Sequence, residues 1–594
     1  MLEKLISGRW NIWLAALIGM LLTAPAMNMG LMGDDYLHWS LLTGRATNAQ
    51  PGSFFGLFTF ADGSQQANQI LMDSGKLVWW ASDHLRIAFW RPLAELSQKL
   101  DYIWWPDSPL LMHLHNLLLY GVMILLVGKL FHELDTKRQQ AGLATWLFAG
   151  NMLHVFAVAW LASRNQMLCG ILLALTVLAY HRWRQGQSAL YGVLAAVSLV
   201  TGLFSAEAAI QTMGYLLAYA LFLEQGKPLL KRFGPLLPFI VIVLAWKATH
   251  SHLGYGSYGS PGYVDPSSNP AGFLTSLMLR LPALMLAQWY GVSSVMFEQL
   301  DRPVQYLYAG GATVVLLGLF YAIHYLGGFK SALARFYIAA SIIALAPACA
   351  GYPFDRLTVN SDIGASGLLA MVLIPVWQQR QQLKGWAQGS AKYLILLIGL
   401  IHVVVFPIGK VVSSAMMKTI NTSGEALGAL ALPDAGEKSS LRYLLLNAPS
   451  AEATYYFPVT REYHGLHNPA TMHALGPNNQ ALTLTRLGDT TLRVDVPTGF
   501  KGTITRDVRL QPFKVGDTVH MGGMTAEVEA LTAGGVPRTV RYRFPDSLDN
   551  AHWRFFAWRE EGLYQVTPPP PGQSLAIASY DIGKAVMRYV NKGR

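Results

Sequence analysis

Cysteine and charged residues are scarce in this sequence, and their scarcity excludes several classes of protein. Of 594 residues, only 2 are cysteines and only 13% are charged. Cys169 and Cys349 lie within or beside apolar runs, so their number and spacing indicate neither a disulfide framework nor a thiolate metal site. Most of a chain with so few charges cannot be a soluble globule. No internal repeat of the solenoid type is evident.

Apolar sequence is what the chain has in excess. Hydrophobic residues make up 52% of it, with 17 Trp and a mean hydropathy of +0.30. Runs close to the roughly 20 residues that cross a hydrocarbon core recur as far as residue 411. We therefore predict a mainly α-helical, polytopic membrane protein with about eleven crossings. The predicted spans are residues 10–29, 109–131, 141–161, 166–181, 188–205, 207–223, 234–249, 303–326, 335–351, 360–377 and 393–411.

Basic residues in the connections predict the orientation of the chain. They concentrate in every second connection, which the positive-inside rule assigns to the cytoplasm. The main ones are Lys129, Lys137, Arg138, Arg182, Arg184, Lys227, Lys231, Arg232, Arg380, Lys384 and Lys392. The N terminus is then inside, and the C terminus is outside. Because the net charge of +11 and the pI of 9.4 follow from this pattern, we do not expect nucleic-acid binding.

Two segments allow a second interpretation. The run at 273–297 contains Arg280, Pro282 and Gln288, and a crossing there would leave later basic residues outside. We interpret it as an external or re-entrant segment. The first run contains Ala-Pro-Ala at 24–26, which is typical of a signal-peptide cleavage site. We favour an uncleaved span because the run is long for a signal.

The composition changes near residue 412, where apolar runs become short and Gly and Pro frequent. Alternating stretches at 490–496 and 538–543 are typical of strands, so we expect an external β-rich domain of sandwich type. In the first external loop, Trp79, Trp80 and Trp90 are expected to anchor the chain in the membrane interface. The predicted organisation is a transmembrane domain at 1–411, which includes the external loop at 30–108, a linker at 412–439 and the β-rich domain at 440–594.

Asp34 and Asp35 are the first candidates for chemistry. They follow the first span directly, at the boundary between hydrocarbon and water. Carboxylates in that partly desolvated position can act as general base and as orienting group or cation ligand. The alternatives are a solvated acidic pair or a helix cap formed by Asp34. The dipeptide alone does not decide between them.

Isolated charges at other predicted external boundaries strengthen the case for a site. They are Arg91, Arg164, Glu207 and Arg356. Ionisable groups at such depth are costly and tend to face partners or a polar cavity. The forked donors of arginine suit phosphate oxygens, whereas the competing interpretation is salt bridges among these same residues. For the set as a whole we favour a site for an anionic ligand, and we expect the arginines to converge with Asp34 and Asp35 in one pocket.

Five short segments of the chain form a recognisable set. They are Gly33–Tyr36, Arg91–Leu93 with Asp101, Trp104 and His113–Asn116, Ser163–Gln166, Ser205–Glu207, and Arg356 with Ser361 and Gly364. Taken together, they resemble segments of the type C superfamily of polytopic glycosyltransferases, and within it the membrane part of the transmembrane and tetratricopeptide-containing O-mannosyltransferases and their bacterial relatives. Each is unspecific alone, but their order and membrane placement are together fairly specific. The resemblance covers residues 10–411.

The resemblance implies the GT-C fold and an inverting glycosyltransferase. Such an enzyme moves a sugar from a polyprenyl-phosphate carrier to an extracytoplasmic acceptor, which is a hydroxyl of a glycan, a glycolipid or a protein. Its other partners are membrane lipids. A bacterial inner membrane is implied, with the active site and the C-terminal domain in the periplasm. A requirement for Mg²⁺ or Mn²⁺ is left open.

The resemblance also implies residue roles. Asp34 is the first choice as base, and Asp35 is a helper or cation ligand, although these two roles could be exchanged. The other implied roles are donor-phosphate binding by Arg356, Arg91 and Arg164, orientation by Glu207, and weaker substrate contacts by Tyr36 and Trp39. For the two aromatic residues, an interfacial role is the alternative.

The chain departs from the family at three points. Ser-Ala-Glu at 205–207 stands where the family often has Ser-Lys-Glu, and Arg-Asn-Gln at 164–166 where it often has Arg-Ala-Asp. The C-terminal part is β-rich rather than tetratricopeptide, so the sugar and the acceptor are left open. The alternative function is a transporter or flippase for lipid-linked glycans, which would also need a basic path among its spans. No repeated halves with broken helices, typical of transporters, are seen. A non-catalytic scaffold would leave the boundary charges unexplained.

Overall fold

Apolar runs fold into long helices, several of which begin at a proline. The structure is a computed structural model that describes residues 6–44, 56–437, 439–450, 452–501 and 504–592. Pro92, Pro109 and Pro270 each occupy the first position of a helix. There the fixed φ of proline suits the helix, and its missing N–H costs no intrahelical hydrogen bond.

The chain divides into two compact units, each assembled from segments that are distant in sequence. The C-terminal β-rich part shares a unit with most of the first external loop, which the sequence had been expected to place in the membrane domain. The first unit comprises Met1–Leu31, Phe89–Leu253 and Val264–Lys418, and the second comprises Met32–Ala88, Gly254–Tyr263 and Thr419–Arg594. The predicted linker also differs, because residue 412 lies inside the helix Phe406–Leu427.

The first unit is helical. A Cβ at Gly364 would lie 2.4 Å from the Tyr337 carbonyl oxygen, so helices pack there at a distance that only glycine permits. The α-helices of this unit are Asn11–Thr23, Pro92–Trp104, Pro109–Leu134, Arg138–Gly150, Val155–Ala159, Arg164–Arg184, Ala189–Leu203, Gln211–Phe222, Leu229–Phe233, Leu237–His252, Pro270–Tyr290, Arg302–Tyr325, Ala332–Leu345, Asp362–Gln379, Gly385–Tyr393 and the first part of Phe406–Leu427, preceded by the π-helical segments Leu394–Gly399 and Ile401–Val405.

A multi-pass membrane protein with mainly helical membrane segments is confirmed. Over the described residues, 8 helices are long and apolar enough to cross a membrane, or up to 9 if one bent pair counts as a single crossing. The predicted number of about eleven crossings is therefore larger than the number of candidate spans in the structure. Two predicted spans form helices of only 15 and 12 residues, Ala189–Leu203 and Gln211–Phe222, which are shorter than a hydrocarbon core requires. The candidate spans are Asn11–Asn28, Pro109–Leu134, Leu161–Arg184, Leu229–His252, Pro270–Tyr290, Arg302–Tyr325, Ala332–Ala350 and Gly385–Leu427.

The helix Pro270–Tyr290 differs from the external or re-entrant segment predicted there. It has 21 residues and is apolar enough to cross a membrane. Its polar side chains have partners in the first unit. Arg280 Nε donates to Glu298 Oε1 at 2.6 Å, and Gln288 Nε2 donates to Ser361 Oγ at 3.1 Å. Because these groups are satisfied within the protein, they do not argue against a crossing.

Strands dominate the second unit. Strands β1 (Thr59–Asp62), β2 (Arg86–Ala88) and β3 (Gly256–Tyr258) form a three-stranded antiparallel sheet. The other strands are β4 (Arg442–Leu445), β5 (Thr471–Ala474), β6 (Leu482–Arg486), β7 (Thr491–Asp495), β8 (Thr518–Met521), β9 (Met524–Leu531), β10 (Pro537–Arg543), β11 (Trp553–Arg559), β12 (Gly562–Val566) and β13 (Ser574–Ile577). The helices of this unit are Asp34–Thr43, Gln65–Asp73, Ala453–Tyr463 and Ile582–Lys592, with the end of Phe406–Leu427.

The C-terminal β-rich part is confirmed, and the two predicted strands are neighbours in it. A six-stranded antiparallel sheet has the order β13-β6-β7-β10-β9-β8. Within it, Val494 of β7 lies opposite Val540 of β10, and their inward faces are buried. A four-stranded sheet has the order β12-β11-β4-β5, with β4 parallel to both neighbours. These parallel pairs differ from a sandwich of antiparallel sheets. The helix Ala453–Tyr463 joins β4 to β5 as a crossover connection.

Trp79 and Trp80 are core residues of the second unit rather than membrane anchors, whereas Trp90 lies half-buried in the first unit. Trp79 and Trp80 are only 1% and 3% exposed. Trp79 Nε1 donates to Tyr542 Oη of β10 at 2.8 Å, and Tyr542 Oη donates to the Leu475 carbonyl at 2.7 Å. Buried indole and phenol groups need such partners. These contacts explain why the loop and the C-terminal strands form one unit.

Candidate functional site

The two candidate carboxylates open the helix Asp34–Thr43 in the second unit. Gly33 precedes them with a φ of +53°, a left-handed conformation that costs glycine little. Asp34 and Asp35 both lie in the first turn. The N–H groups at a helix N-terminus favour negative charge, so this position suits a pair of ionised carboxylates.

The two carboxylates have different surroundings. Asp35 is only 1% exposed, and its Oδ2 accepts a hydrogen bond from the Met32 N–H at 3.1 Å. Asp34 is half-buried, and its Oδ1 accepts a hydrogen bond from Tyr456 Oη at 2.5 Å. Asp34 is thus the better placed to meet a substrate hydroxyl, whereas Asp35 holds the turn that presents it.

Tyr36 and Trp39 lie in the interior of the second unit. They are 3% and 6% exposed, and each ring lies 5.2 Å from that of Tyr463. The Tyr36 hydroxyl donates to Glu425. Burial, and then the charge of Glu425, raise the pKa of Tyr36 well above its ordinary range. This environment favours a packing role for both residues over the predicted substrate contacts.

Arg91 and Glu207 form an ion pair in the first unit. Arg91 Nε donates to Glu207 Oε2 at 2.9 Å, and the Trp90 N–H donates to Glu207 Oε1 at 3.0 Å. The side chains are 17% and 25% exposed, so the pair is accessible. The guanidinium also lies over the Phe89 ring at 4.3 Å. The geometry suits an orienting role for Glu207 and equally the salt bridge that was the competing interpretation.

Arg164 is fully buried in the first unit, and each of its three nitrogens donates within the protein. Nε donates to Asn116 Oδ1 at 2.6 Å. Nη1 donates to the Ser97 carbonyl at 2.9 Å, and Nη2 donates to the Asp101 carboxylate and, at 3.3 Å, to the Met112 carbonyl. A guanidinium used in this way has little left to offer a phosphate. The structure therefore favours an architectural role for Arg164 over phosphate binding.

Arg164→Met is expected to destabilise the protein by about 3–5 kcal/mol, because it leaves the buried Asp101 charge without its main partner. Unfolding titrations of purified protein in detergent measure this loss. Arg182→Met is the matched control, since Arg182 and Glu133 form an ion pair whose side chains are 21% and 25% exposed. That change should cost about 0–1 kcal/mol. Equal losses for the two variants would contradict the architectural role.

Arg356 is the best placed of the three arginines to bind an anion. It is half-buried in the first unit, and its guanidinium stacks over the rings of Trp160 at 4.4 Å and Phe354 at 5.2 Å. Nη1 donates to Ser163 Oγ at 2.5 Å. Stacking uses the faces of the guanidinium, whereas its N–H groups point outward in the plane, where they can bind oxygen atoms.

The structure brings together buried polar residues that were not predicted from the sequence. Lys410 is fully buried in the first unit, and its Nζ donates to Tyr120 Oη at 2.5 Å and to the Ala149 carbonyl at 2.7 Å. Tyr120 Oη lies 3.0 Å from His154 Nδ1, and His154 Nε2 lies 3.3 Å from Asp362 Oδ2. A single lysine within an apolar run is the signal that could have found this network. No local pattern marks Tyr456 or its contact with Asp34.

The candidates fall into two groups, one in each unit. Their convergence in one pocket, expected from the sequence, stays a prediction. The first unit holds Arg91, Arg164, Glu207 and Arg356, and the second holds Asp34, Asp35, Tyr36 and Trp39. Over the residues that the structure describes, no group of three or more His, Cys, Asp and Glu side chains could hold a metal ion. The metal role considered for Asp35 stays a prediction.

Comparison with known proteins gives similarities of structure rather than of sequence. No family model and no curated protein match the chain. An Archaeoglobus fulgidus oligosaccharyltransferase, in complex with Zn and sulfate, is similar at a TM-score of 0.41 and 13% identity over 79% of this chain and 62% of that one. ArnT from Cupriavidus metallidurans, in the apo state, is similar at a TM-score of 0.38 and 14% identity over 78% of this chain and 85% of that one. The chain thus spans less than two thirds of the archaeal enzyme.

Proposed function

We propose that the chain is a membrane glycosyltransferase of the type C superfamily that transfers a sugar from a polyprenyl-phosphate carrier to a hydroxyl acceptor. The observation that carries the proposal is the unequal carboxylate pair at the start of the helix Asp34–Thr43. Asp35 is buried and held by a backbone N–H, whereas Asp34 is half-buried and bound by a tyrosine hydroxyl. A merely solvated acidic pair would have neither environment. The five-segment resemblance and the multi-pass architecture support the class.

In the proposed reaction, Asp34 is the general base. It takes the proton of the acceptor hydroxyl as that oxygen attacks the anomeric carbon. The bond between the anomeric carbon and the phosphate oxygen breaks, and polyprenyl phosphate leaves with the bonding electrons. Asp35 positions the first turn through its hydrogen bond with Met32. One displacement of this kind inverts the configuration of the sugar.

The leaving phosphate gains negative charge during the reaction, and guanidinium groups can stabilise it. Arg356 is the first candidate because aromatic rings hold its guanidinium in place. Arg91 is the second, with Glu207 fixing its direction. Arg164 supports this machinery indirectly, through the contacts that bury it.

The partners in this proposal are the lipid-linked sugar donor, an acceptor that is a glycan, glycolipid or protein, and the surrounding lipid. The donor's polyprenyl tail would lie against apolar helices, where binding energy remote from the reacting carbon can contribute to catalysis. The proposed location is a bacterial inner membrane, with the reaction and the C-terminal part on the periplasmic side.

The test is sugar transfer by the purified protein. A panel of synthetic polyprenyl-phosphate monosaccharides, labelled in the sugar, is mixed with membranes from a strain that lacks the protein. Label should enter an acceptor, with one polyprenyl phosphate released for each sugar moved. The same donors are then placed in one leaflet of proteoliposomes. If intact donor crosses the bilayer and no sugar is cleaved, the chain is a flippase, and the glycosyltransferase proposal is wrong.

A further inference from the structure

A tyrosine from the C-terminal part contacts the carboxylate proposed as the base. Tyr456 Oη donates to Asp34 Oδ1 at 2.5 Å, although 422 residues separate the two in sequence. Both belong to the second unit. Both side chains are half-buried, so the contact is neither sealed in the core nor fully hydrated. A hydrogen bond to an ionised carboxylate in such a place is stronger than one in water.

The packing of two helices sets this contact. Tyr456 and Tyr463 are seven residues apart on the helix that joins β4 to β5, so they lie on one face, two turns apart. Tyr36 and Trp39 share a face of the facing helix. The Tyr463 ring packs against both at 5.2 Å. These ring contacts hold one end of the helix pair in place. At the other end, the Tyr456 hydroxyl contacts Asp34.

The tyrosine hydroxyl keeps its proton in this environment. Burial, followed by the negative charge of Asp34, raises the pKa of Tyr456 well above its ordinary range. Tyr456 is therefore a neutral donor at neutral pH. A donor to the charged form of a carboxylate favours ionisation.

Among the other titratable groups around the pair, the acidic ones act in the opposite direction, whereas the Tyr455 hydroxyl is neutral. Negative charge near a carboxylate makes it hold its proton more tightly, and a base must lose that proton to act. The titratable groups that face this pair include Asp35 on the helix of Asp34, Tyr455 and Glu452 beside Tyr456, and, beyond Tyr36, Glu425 and His464. Tyr456 counteracts the acidic members of this set.

We infer that Tyr456 is a positioning residue for the transfer reaction, whose hydroxyl orients Asp34 and keeps it ionised, so that the C-terminal part completes the active site. This inference rests on the proposed function, in which Asp34 is the base. It gives the β-rich part a role in the reaction itself.

Tyr456→Phe removes one oxygen atom and tests the inference directly. We expect kcat for sugar transfer to fall about tenfold to a hundredfold, with KM for the donor within about twofold. The acidic limb of the kcat profile should move up by about one pH unit, since Asp34 without its donor binds a proton more tightly. Tyr455→Phe is the matched control, because the Tyr455 hydroxyl donates to the Phe60 carbonyl at 3.4 Å. It should leave both quantities unchanged.

A second measurement does not depend on activity. Dicyclohexylcarbodiimide reacts with protonated carboxyl groups, and mass spectrometry of the full-length protein after digestion gives the labelled fraction at Asp34 against pH. The midpoint should rise by about one pH unit in Tyr456→Phe and stay in Tyr455→Phe.

The two measurements separate the possible failures. If kcat falls while the acidic limb and the labelling midpoint stay at their wild-type positions, Tyr456 is only a packing residue, and the inference is overturned. If the wild-type protein transfers no sugar but the labelling midpoint still moves, the proposed function fails, whereas the coupling of Tyr456 to Asp34 is supported.

Discussion

Asp34→Asn is expected to lower kcat for glycosyl transfer about a thousandfold, within the range that a general base contributes. The amide is nearly isosteric with the carboxylate and can still accept the hydrogen bond from Tyr456. It cannot take a proton from the acceptor, so the loss reports on proton transfer rather than on folding. Single-turnover measurements at saturating donor give the rate of the chemical step.

Two further variants make this result specific. Asp35→Asn should lower kcat only about tenfold, because an amide oxygen can still accept a hydrogen bond from the Met32 N–H and hold the turn. Asp62→Asn is a control in the same unit, since Asp62 is exposed and its carboxylate accepts a local hydrogen bond from the Ser64 N–H at 2.8 Å. Its rate should equal that of the wild type. A larger loss for Asp35→Asn than for Asp34→Asn would reverse the two roles.

Arg356→Ala is expected to lower kcat/KM for the donor by about a hundredfold to a thousandfold, the usual loss when a charge-stabilising donor is removed. Stacking on Trp160 and Phe354 holds the guanidinium in place before substrate binds, so little reorganisation is needed during reaction. Arg356→Lys should recover only part of the rate, because an ammonium group lacks the planar fork that binds two oxygens.

The control for this variant is an exposed arginine. Arg302 is exposed at the start of the helix Arg302–Tyr325 and donates to Gln305 on the same helix at 2.7 Å. Arg302→Ala should leave kcat/KM unchanged. If Arg356→Ala transfers sugar at the wild-type rate but moves intact lipid-linked donor across proteoliposomes more slowly, the residue serves transport, and the flippase interpretation gains support.

Much of the secondary structure followed from local patterns. A strand's alternation is visible in a few residues, which is why β7 and β10 were predicted. Long apolar runs marked most of the membrane helices for the same reason. An external or re-entrant segment was predicted at Pro270–Tyr290 because of its polar residues. The sequence does not show that Arg280 has Glu298 as a partner.

Tertiary relations could not be read in the same way. The division into two units depends on contacts such as that of Trp79 with Tyr542, whose residues are 463 positions apart. The crossover between β4 and β5 was missed because each strand has only four residues. Strands so short give little periodic signal.

The candidate site was predicted by residue type and position, and the roles of its members differ in the structure. Asp34 and Arg356 keep environments suited to the proposed chemistry. Each nitrogen of Arg164 donates to a partner within the protein, and no sequence motif indicates these contacts. Tyr456 gained its importance only from the fold, since its neighbour in space is Asp34.

The configuration of the transferred sugar shows whether transfer follows the single displacement in which Asp34 is the proposed general base. In the proposed reaction, an acceptor hydroxyl activated by Asp34 displaces polyprenyl phosphate in one step, which inverts the anomeric carbon. Nuclear magnetic resonance of the product, compared with a donor of known configuration, distinguishes the two anomers. Inversion is the predicted result. Retention would exclude a single displacement from the opposite face of the sugar and would contradict the assignment of Asp34 as its base.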